Sequence, residues 1–382
     1  MLAVQIALCA VLITSSLVAV RGLVLSLHSN FGFDPQNSML ISADLHRAGY
    51  SADQIAPMQK HMLDTLAALP GVESVGLTDA LPLNDSSQSN VFADNTADLR
   101  PSRVAAESYV FHISPEFLRA DGTTLLSGRA FTWHDELNSP RVAVVNREFA
   151  RKIFGSPSNA LGGYFKMPDG VGVLVVGVAQ DGKYGGLTEN PRPAMFLPIL
   201  QWPAKSAWLV VRSSTGRQHL AAAIRGALHN LDAGLPIVIE ARLDEVGGEL
   251  FPSYMAAVSL GVLGGMGAML AVTGIFGMAA YAISKRMREL GIRVALGAQR
   301  REVLRTALGR AVKLLAIGSA AGLILGILAG RVLAFIVYQA TPRDPLVLAG
   351  VVVAMALLGL LATWIPARRA LSVDPMILLR EQ

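Results

Sequence analysis

Cysteine is almost missing from this sequence. Cys9 stands alone, which excludes an internal disulfide and a cysteine-built zinc cluster. Charge is scarce as well: 16% of the 382 residues are charged and 52% are hydrophobic, whereas soluble domains carry about 25% charged residues. That balance excludes an ordinary soluble globule. Catalytic signatures are also lacking. The seven histidines form no His-Glu-x-x-His pair, and no Gly-x-Ser-x-Gly elbow occurs. The nearest approach to a phosphate loop is Gly177 to Gly182-Lys183-Tyr184. Tyr184 stands where a Mg²⁺-binding Ser or Thr is needed, and Gly185-Gly186 follow instead of a helix, so this stretch reads as a strand-ending loop.

Long uncharged runs are present in place of these features. A membrane-spanning helix needs about 20 mainly apolar residues. Four runs qualify, 1–20, 250–284, 314–330 continuing past Arg331 to 337, and 345–367, and the spans expected on them are 1–21, 258–283, 312–337 and 345–366. The third does so only with Arg331 snorkelling near an interface. The first has no basic region ahead of it, so it reads as an uncleaved helix rather than a signal peptide. It also starts abruptly, as expected of a fragment or of one half of a longer protein.

The charge distribution orients these runs. Residues 284–311 hold eight basic residues, opposed only by Glu289 and Glu302. Residues 1–257 are net acidic. Short loops rich in Lys and Arg stay in the cytoplasm, so 284–311 and the tail are expected inside and the large segment 22–255 outside. Four crossings then put both termini in the cytoplasm. The basic excess is a topology signal, and no basic patch interleaved with aromatics supports nucleic-acid binding.

The outer segment alternates strand and helix patterns, as an α+β domain does. Strands are expected at 38–45, 72–78, 103–113, 141–145, 171–178, 194–198, 208–212 and 236–241. Helices are expected at 52–69, 115–119, 147–154 and 216–231, with another rising from Leu243. Residues 84–99 are rich in Ser, Asn and Asp and read as an exposed loop. In the third run Gly318, Gly322, Gly326 and Gly330 recur every four residues on one helix face. Small residues so spaced let helices pack closely, against a helix of this chain or of a partner. Buried acidic residues for proton coupling are lacking.

The most informative stretch is the basic elbow 284–311. Glu289 and Arg293 are spaced to pair on a helix, and Gly297 is expected to break that helix. The run Arg288, Glu289, Gly291, Ile292, Arg293, Ala295, Leu296, Gly297 and Ala298 resembles a signature of the MacB/FtsX-like ABC transporter permeases. Ile365-Pro-Ala-Arg-Arg-Ala370 with Val373-Asp-Pro375 is similar to that family's closing segment. Gly32-Phe-Asp-Pro35, Leu69-Pro-Gly-Val-Glu73, Ala143-Val-Val-Asn146 and Pro191-Arg-Pro-Ala194 also resemble it.

The resemblance implies an α-helical membrane protein with four transmembrane helices, one plus three, in a cell or inner membrane. It implies a MacB-like α+β extracytoplasmic domain over 22–255 and an FtsX-like region over 256–382. A separate cytoplasmic ABC ATPase would contact Arg288, Glu289, Gly291, Arg293, Ala295, Leu296, Gly297 and Ala298, and a second permease copy or repeat would complete the assembly. The chain itself is then a non-enzymatic permease without a cofactor, used for export or mechanotransmission. It looks like a single repeat of a two-repeat permease. The alternative is a membrane sensor whose outer domain binds a ligand.

Overall fold

A computed structural model describes residues 2–27, 30–84, 86–187, 189–202, 207–214, 217–295, 300–333 and 344–371. The chain divides into two compact units, one of residues 1–28 with 251–382 and one of residues 29–250.

In chain order the elements are α1 (Leu2–Leu27), β1 (Ser38–Ala43), α2 (Ala52–Ala67), β2 (Val72–Thr78), β3 (Ser87–Ala93), β4 (Ala106–Ile113), α3 (Phe117–Asp121), β5 (Leu125–Gly128) and β6 (Val142–Asn146). Then come α4 (Arg147–Phe154), α5 (Pro157–Ala160), β7 (Tyr164–Lys166), β8 (Gly172–Ala179), β9 (Ala194–Pro198), β10 (Ala207–Ser213), α6 (Arg217–Leu231) and β11 (Ile237–Ala241). The last three helices are α7 (Arg242–Ala295), α8 (Arg300–Leu333) and α9 (Pro345–Leu371).

In the unit 29–250, β11, β1, β10 and β2 form an antiparallel sheet. Side chains alternate across a strand, and β1 shows the consequence. Met39, Ile41 and Ala43 join Ile55, Met62 and Leu66 of α2 and Ile224 and Leu228 of α6 in one core. Leu40 faces the other way, into a core with Phe117 and Leu118 of α3. Gly76 of β2 permits the approach of α3, because a Cβ there would stand 2.4 Å from the Phe117 Cα. The helix α2 begins at a capping box, with the Gln54 side chain accepting the Ser51 N–H at 3.1 Å. It ends at Leu69-Pro-Gly, where Gly71 takes φ 81°.

Six of the remaining strands form a closed circuit, β4–β3–β7–β8–β6–β9 and back to β4, and β5 pairs with β8 outside it. The strand β9 runs parallel to β4, and β6 parallel to β8. Val145, Phe165, Val173 and Met195 of these strands pack with Phe149 of α4 in one core.

The expectation of a loop over 84–99 is corrected here, because β3 occupies Ser87–Ala93. Ser87, Gln88 and Asn90 are exposed while Val91 and Phe92 are buried. A strand whose outer residues are polar gives a weak hydropathy signal. The strands β5 and β7, of four and three residues, are too short to give a periodic signal.

Among the described residues, three helices are long and apolar enough to cross a membrane. These are Leu2–Leu27, the part of α7 within Arg242–Lys285, and Pro345–Arg368, with mean hydropathies of 2.3, 1.9 and 2.6. A shorter apolar stretch, Val312–Leu328, lies in α8. Large apolar side chains point outward along these helices, including Met269 at 74% exposure and Leu361 at 67%. Outward faces this apolar over several turns suit lipid rather than water.

Candidate functional site: the helix unit and its elbow

Each of α7, α8 and α9 meets α1, and the meeting points fix their directions. Along α8, Gly318, Gly322 and Gly326 lie in turn against Ile6, Ala7 with Ala10, and Thr14. Both series rise together, so α8 runs parallel to α1. A Cβ on these glycines would stand 2.7 Å from Ile6 Cγ2, 2.5 Å from the Ala7 oxygen and 2.8 Å from Thr14 Cβ. Glycine is therefore a steric requirement at these positions. Gly330 lies within α8, but its surroundings are outside the described residues.

The helix α7 runs the opposite way. Gly264 meets Leu12, and Gly274 meets Leu2 and Gln5. Gln5 Nε2 donates to the Leu270 carbonyl at 2.7 Å, which gives a polar side chain on an apolar helix a partner. The helix α9 is also antiparallel to α1. Its start is tied to α1 by the Arg21 Nε to Asp344 Oδ2 contact at 3.1 Å. Asp344 Oδ1 also accepts the Leu346 N–H at 2.9 Å and so caps α9.

In the elbow, the backbone of Arg288, Glu289, Gly291, Arg293 and Ala295 is helical and continuous with α7. Their side chains are not described. Leu296, Gly297 and Ala298, where the helix was expected to break, lie outside the described residues, and helix resumes at Arg300. The tail beyond Leu371 also lies outside them.

In the other unit, the loop after β8 is a packed turn. Asp181 Oδ1 accepts the Glu148 N–H at the start of α4, at 2.7 Å. Lys183 is buried, with its Nζ donating to the Glu189 carbonyl. Burial pushes the Tyr184 hydroxyl well above the usual tyrosine range and raises the Asp181 carboxyl. A lysine committed in this way is not available to a phosphate. Asn146 is fully buried and ties this region together. Its Oδ1 accepts from Phe149 N and Ala194 N, both at 2.9 Å, and its Nδ2 donates to the Arg192 carbonyl at 2.8 Å. His112 Nδ1 sits 2.6 Å from Asp79 Oδ2. No group of three or more potential metal ligands occurs among the described residues.

Comparison with known proteins decides the family. Residues 1–227 match the model of the MacB-like periplasmic core domain, and residues 261–375 match that of the FtsX-like permease C-terminal region. The chain belongs to the MacB/FtsX-like ABC transporter permease family. Its relatives include a pyoverdine export ATP-binding/permease protein of Pseudomonas savastanoi. That protein is 27% identical over 365 residues, with 91% of this chain and 52% of the relative covered. A macrolide export ATP-binding/permease protein of Hahella chejuensis is 24% identical, with 88% and 52% covered. The chain thus spans about half the length of the curated relatives it matches. The periplasmic region of MacB from Actinobacillus actinomycetemcomitans aligns with 57% of this chain and 94% of its own, at 15% identity and a TM-score of 0.39. As a member of this family the chain is a membrane protein with an extracytoplasmic domain and an FtsX-like permease region.

Sequence reasoning missed the polar ties between elements. Arg21–Asp344 joins residues 323 apart, and nothing in either local sequence marks the pair.

Proposed function

We propose that this chain is the permease part of an ABC transporter, coupling ATP hydrolysis by a cytoplasmic ATPase to movement of the unit 29–250. Four helices cross the membrane, with α1 and α8 leading outward and α7 and α9 leading inward. Both termini are cytoplasmic and the unit 29–250 is extracytoplasmic. The observation that supports this most is the alternation of helix directions against α1, combined with the basic excess between α7 and α8. Parallel α1 and α8 with antiparallel α7 and α9 is the arrangement four successive crossings require.

The elbow is the ATPase contact, through Arg288, Glu289, Gly291, Arg293, Ala295, Leu296, Gly297 and Ala298. A second permease copy or repeat completes the assembly. Nucleotide binding biases a bistable packing of rigid elements, and α7 carries the change to the outer unit. The names of its relatives point to export. The hydrolysing part belongs to a partner chain.

Co-expression with the ABC ATPase encoded nearest to it tests this reading. The ATPase is expected to co-purify with the wild-type chain and to be lost from Glu289→Arg and Gly297→Pro variants that still insert. Retention of the ATPase by both variants overturns the elbow assignment. Absence of any ATPase from an inserted wild-type chain overturns the transporter reading.

A further inference from the structure

The helix α7 begins with a fully buried arginine, Arg242, directly after β11. Arginine is almost never fully buried without partners. Here Nη1 donates to Glu245 Oε2 at 2.6 Å, and Nη2 stands 3.4 Å from Asp121 Oδ1 at the end of α3. The guanidinium carbon lies 4.2 Å from the centre of the Phe33 ring. Next to Phe33, Asp34 accepts from Arg212 Nη1 of β10 at 2.7 Å and donates its N–H to the Asp121 carbonyl at 2.9 Å. Arg212 Nε donates to the Ala120 carbonyl at 3.0 Å. The segment after α1, the end of α3, β10 and the first turn of α7 are therefore tied in one cluster.

An apolar seat completes it. Val246 packs with Phe33, Leu83 and Leu187, with Leu250 and Phe31 at its margin. Arg242, Val246 and Leu250 are spaced by four and so lie on one face of the helix. Leu83 holds φ at 75°, a conformation that bulky residues adopt only where their surroundings enforce it.

This is a poor arrangement for stability alone. A buried carboxylate, Asp121, and a largely covered one, Glu245, flank a single buried guanidinium. Arg242 Nε and Nη2, Asp121 Oδ1 and Glu245 Oε1 make no hydrogen bond among the described residues. Burying ions costs about as much as their attraction returns, and apolar side chains of the same volume often do as well. What such a cluster does supply is a unique position. An apolar helix face can slip by a turn against its seat. A guanidinium held between two carboxylates and over an aromatic ring has one place to sit.

We propose that this seat, with Arg242 at its centre, is a rigid joint that fixes the head of α7 to the outer unit in a single register, so that displacement of the helix carries that unit with it. The purpose of the joint rests on the transporter reading above, whereas its geometry does not. Arg242 is a positioning residue in this scheme.

The test is amide hydrogen exchange on the full chain in lipid nanodiscs, first alone and then with its ATPase. In Arg242→Met the amides of 242–250, 31–36 and 117–123 are expected to exchange about tenfold faster while those of β6 and β8 stay unchanged, the mark of a local opening. Glu245→Gln, a milder change, is expected to give the same footprint at about threefold. With the ATPase bound, adding ATP is expected to alter exchange in the outer unit of the wild type. In Arg242→Met that response is expected to vanish while ATP hydrolysis persists. Unchanged protection of 242–250 in both variants overturns the joint, as does loss spread evenly over the whole unit. A joint intact by exchange, with no response to ATP in the wild type, overturns the transporter reading and leaves the joint standing.

Discussion

Gly322 of α8 lies against Ala7 and Ala10 of α1 so closely that a Cβ would meet the Ala10 Cβ at 2.5 Å. Gly277 of α7 has nothing within 4 Å of its would-be Cβ. The contrast gives the first prediction. Gly322→Leu is expected to destabilise the helix unit by about 1–3 kcal/mol, the usual penalty of overpacking. Gly277→Leu is expected to stay within about 0.5 kcal/mol of the wild type. Thermal unfolding in detergent, followed by Trp364 fluorescence, measures both. Equal melting temperatures for the two variants would mean that α1 and α8 are not packed as described.

Topology can be read chemically. Leu137 is 69% exposed in the outer unit, and Ser284 is exposed where α7 approaches the elbow. With Cys9 replaced by Ala, a membrane-impermeant maleimide is expected to label Leu137→Cys in intact cells. Ser284→Cys is expected to be labelled only after the membrane is opened. Labelling of Ser284→Cys in intact cells overturns the assigned orientation.

How much of this was legible beforehand follows from the range of each interaction. The apolar runs and the charge bias are local sums, so the helices and their expected orientation could be read directly. The buried strands β6 and β8 are also legible, through short valine-rich apolar runs. The strand β3 did not, because its exposed residues Ser87, Gln88 and Asn90 look like loop composition. Glycine spacing revealed that α8 packs closely on something, but only the folded chain identifies α1 as the neighbour of Gly318, Gly322 and Gly326. The Arg242 cluster was invisible for the same reason. Asp34, Asp121, Arg212 and Arg242 are ordinary surface-type residues in sequence and meet only through tertiary structure.

Gly122, at the end of α3, has φ 77°, and a Cβ there would lie 2.7 Å from Arg212 Nη2 and 2.8 Å from Asp34 Cβ. Gly155, at the end of α4, has φ 79° with open space around it. Gly155→Ala therefore incurs only the left-handed backbone penalty, about 1 kcal/mol. Gly122→Ala adds a steric clash and is expected to destabilise by about 2–4 kcal/mol, because it also disturbs a bonded ion pair. Denaturant unfolding of the full chain, followed by Trp133, Trp202 and Trp208, separates the two.

The buried carboxyls predict a pH dependence. Burial raises Asp121, opposed chiefly by Arg242 and also by Thr123 and Arg212, with Asp34 adding to the rise. Burial raises Glu245 likewise, opposed by Arg242 and reinforced by Asp121 and Glu249. An acid that binds its proton more tightly when folded contributes stability fully below its unfolded pKa. That contribution is lost as pH climbs through the raised folded value. Asp135 works in the opposite sense. Its hydrogen bonds from Arg129 lower it, so its contribution is present above the ordinary carboxylate value and is lost as pH falls through the depressed one. On the alkaline side of the ordinary carboxylate range the outer unit is therefore expected to gain stability as pH falls. Asp121→Asn is expected to flatten that slope. An unchanged slope in the variant removes Asp121 as its source.

Asn146 gives the sharpest test of the outer fold. Its Oδ1 caps α4 through Phe149 N and also takes Ala194 N of β9, while its Nδ2 serves the Arg192 carbonyl. One side chain thus joins the end of β6, the start of α4 and the start of β9, at a site with no exposure. Asn146→Ala leaves two N–H donors and one acceptor to find other partners in the interior, so the expected loss is about 3–5 kcal/mol. Asn146→Asp keeps the acceptor for both N–H groups but turns an amide donor into an oxygen facing a carbonyl. Its loss is expected to be smaller near pH 4, where the acid is protonated and can donate, than at pH 8, where it is ionised and cannot. Denaturant midpoints at the two pH values read the difference directly. An Asn146→Asp variant whose loss relative to the wild type is the same at pH 8 as at pH 4 would show that the bond to the Arg192 carbonyl contributes nothing, and that the cap alone accounts for this residue.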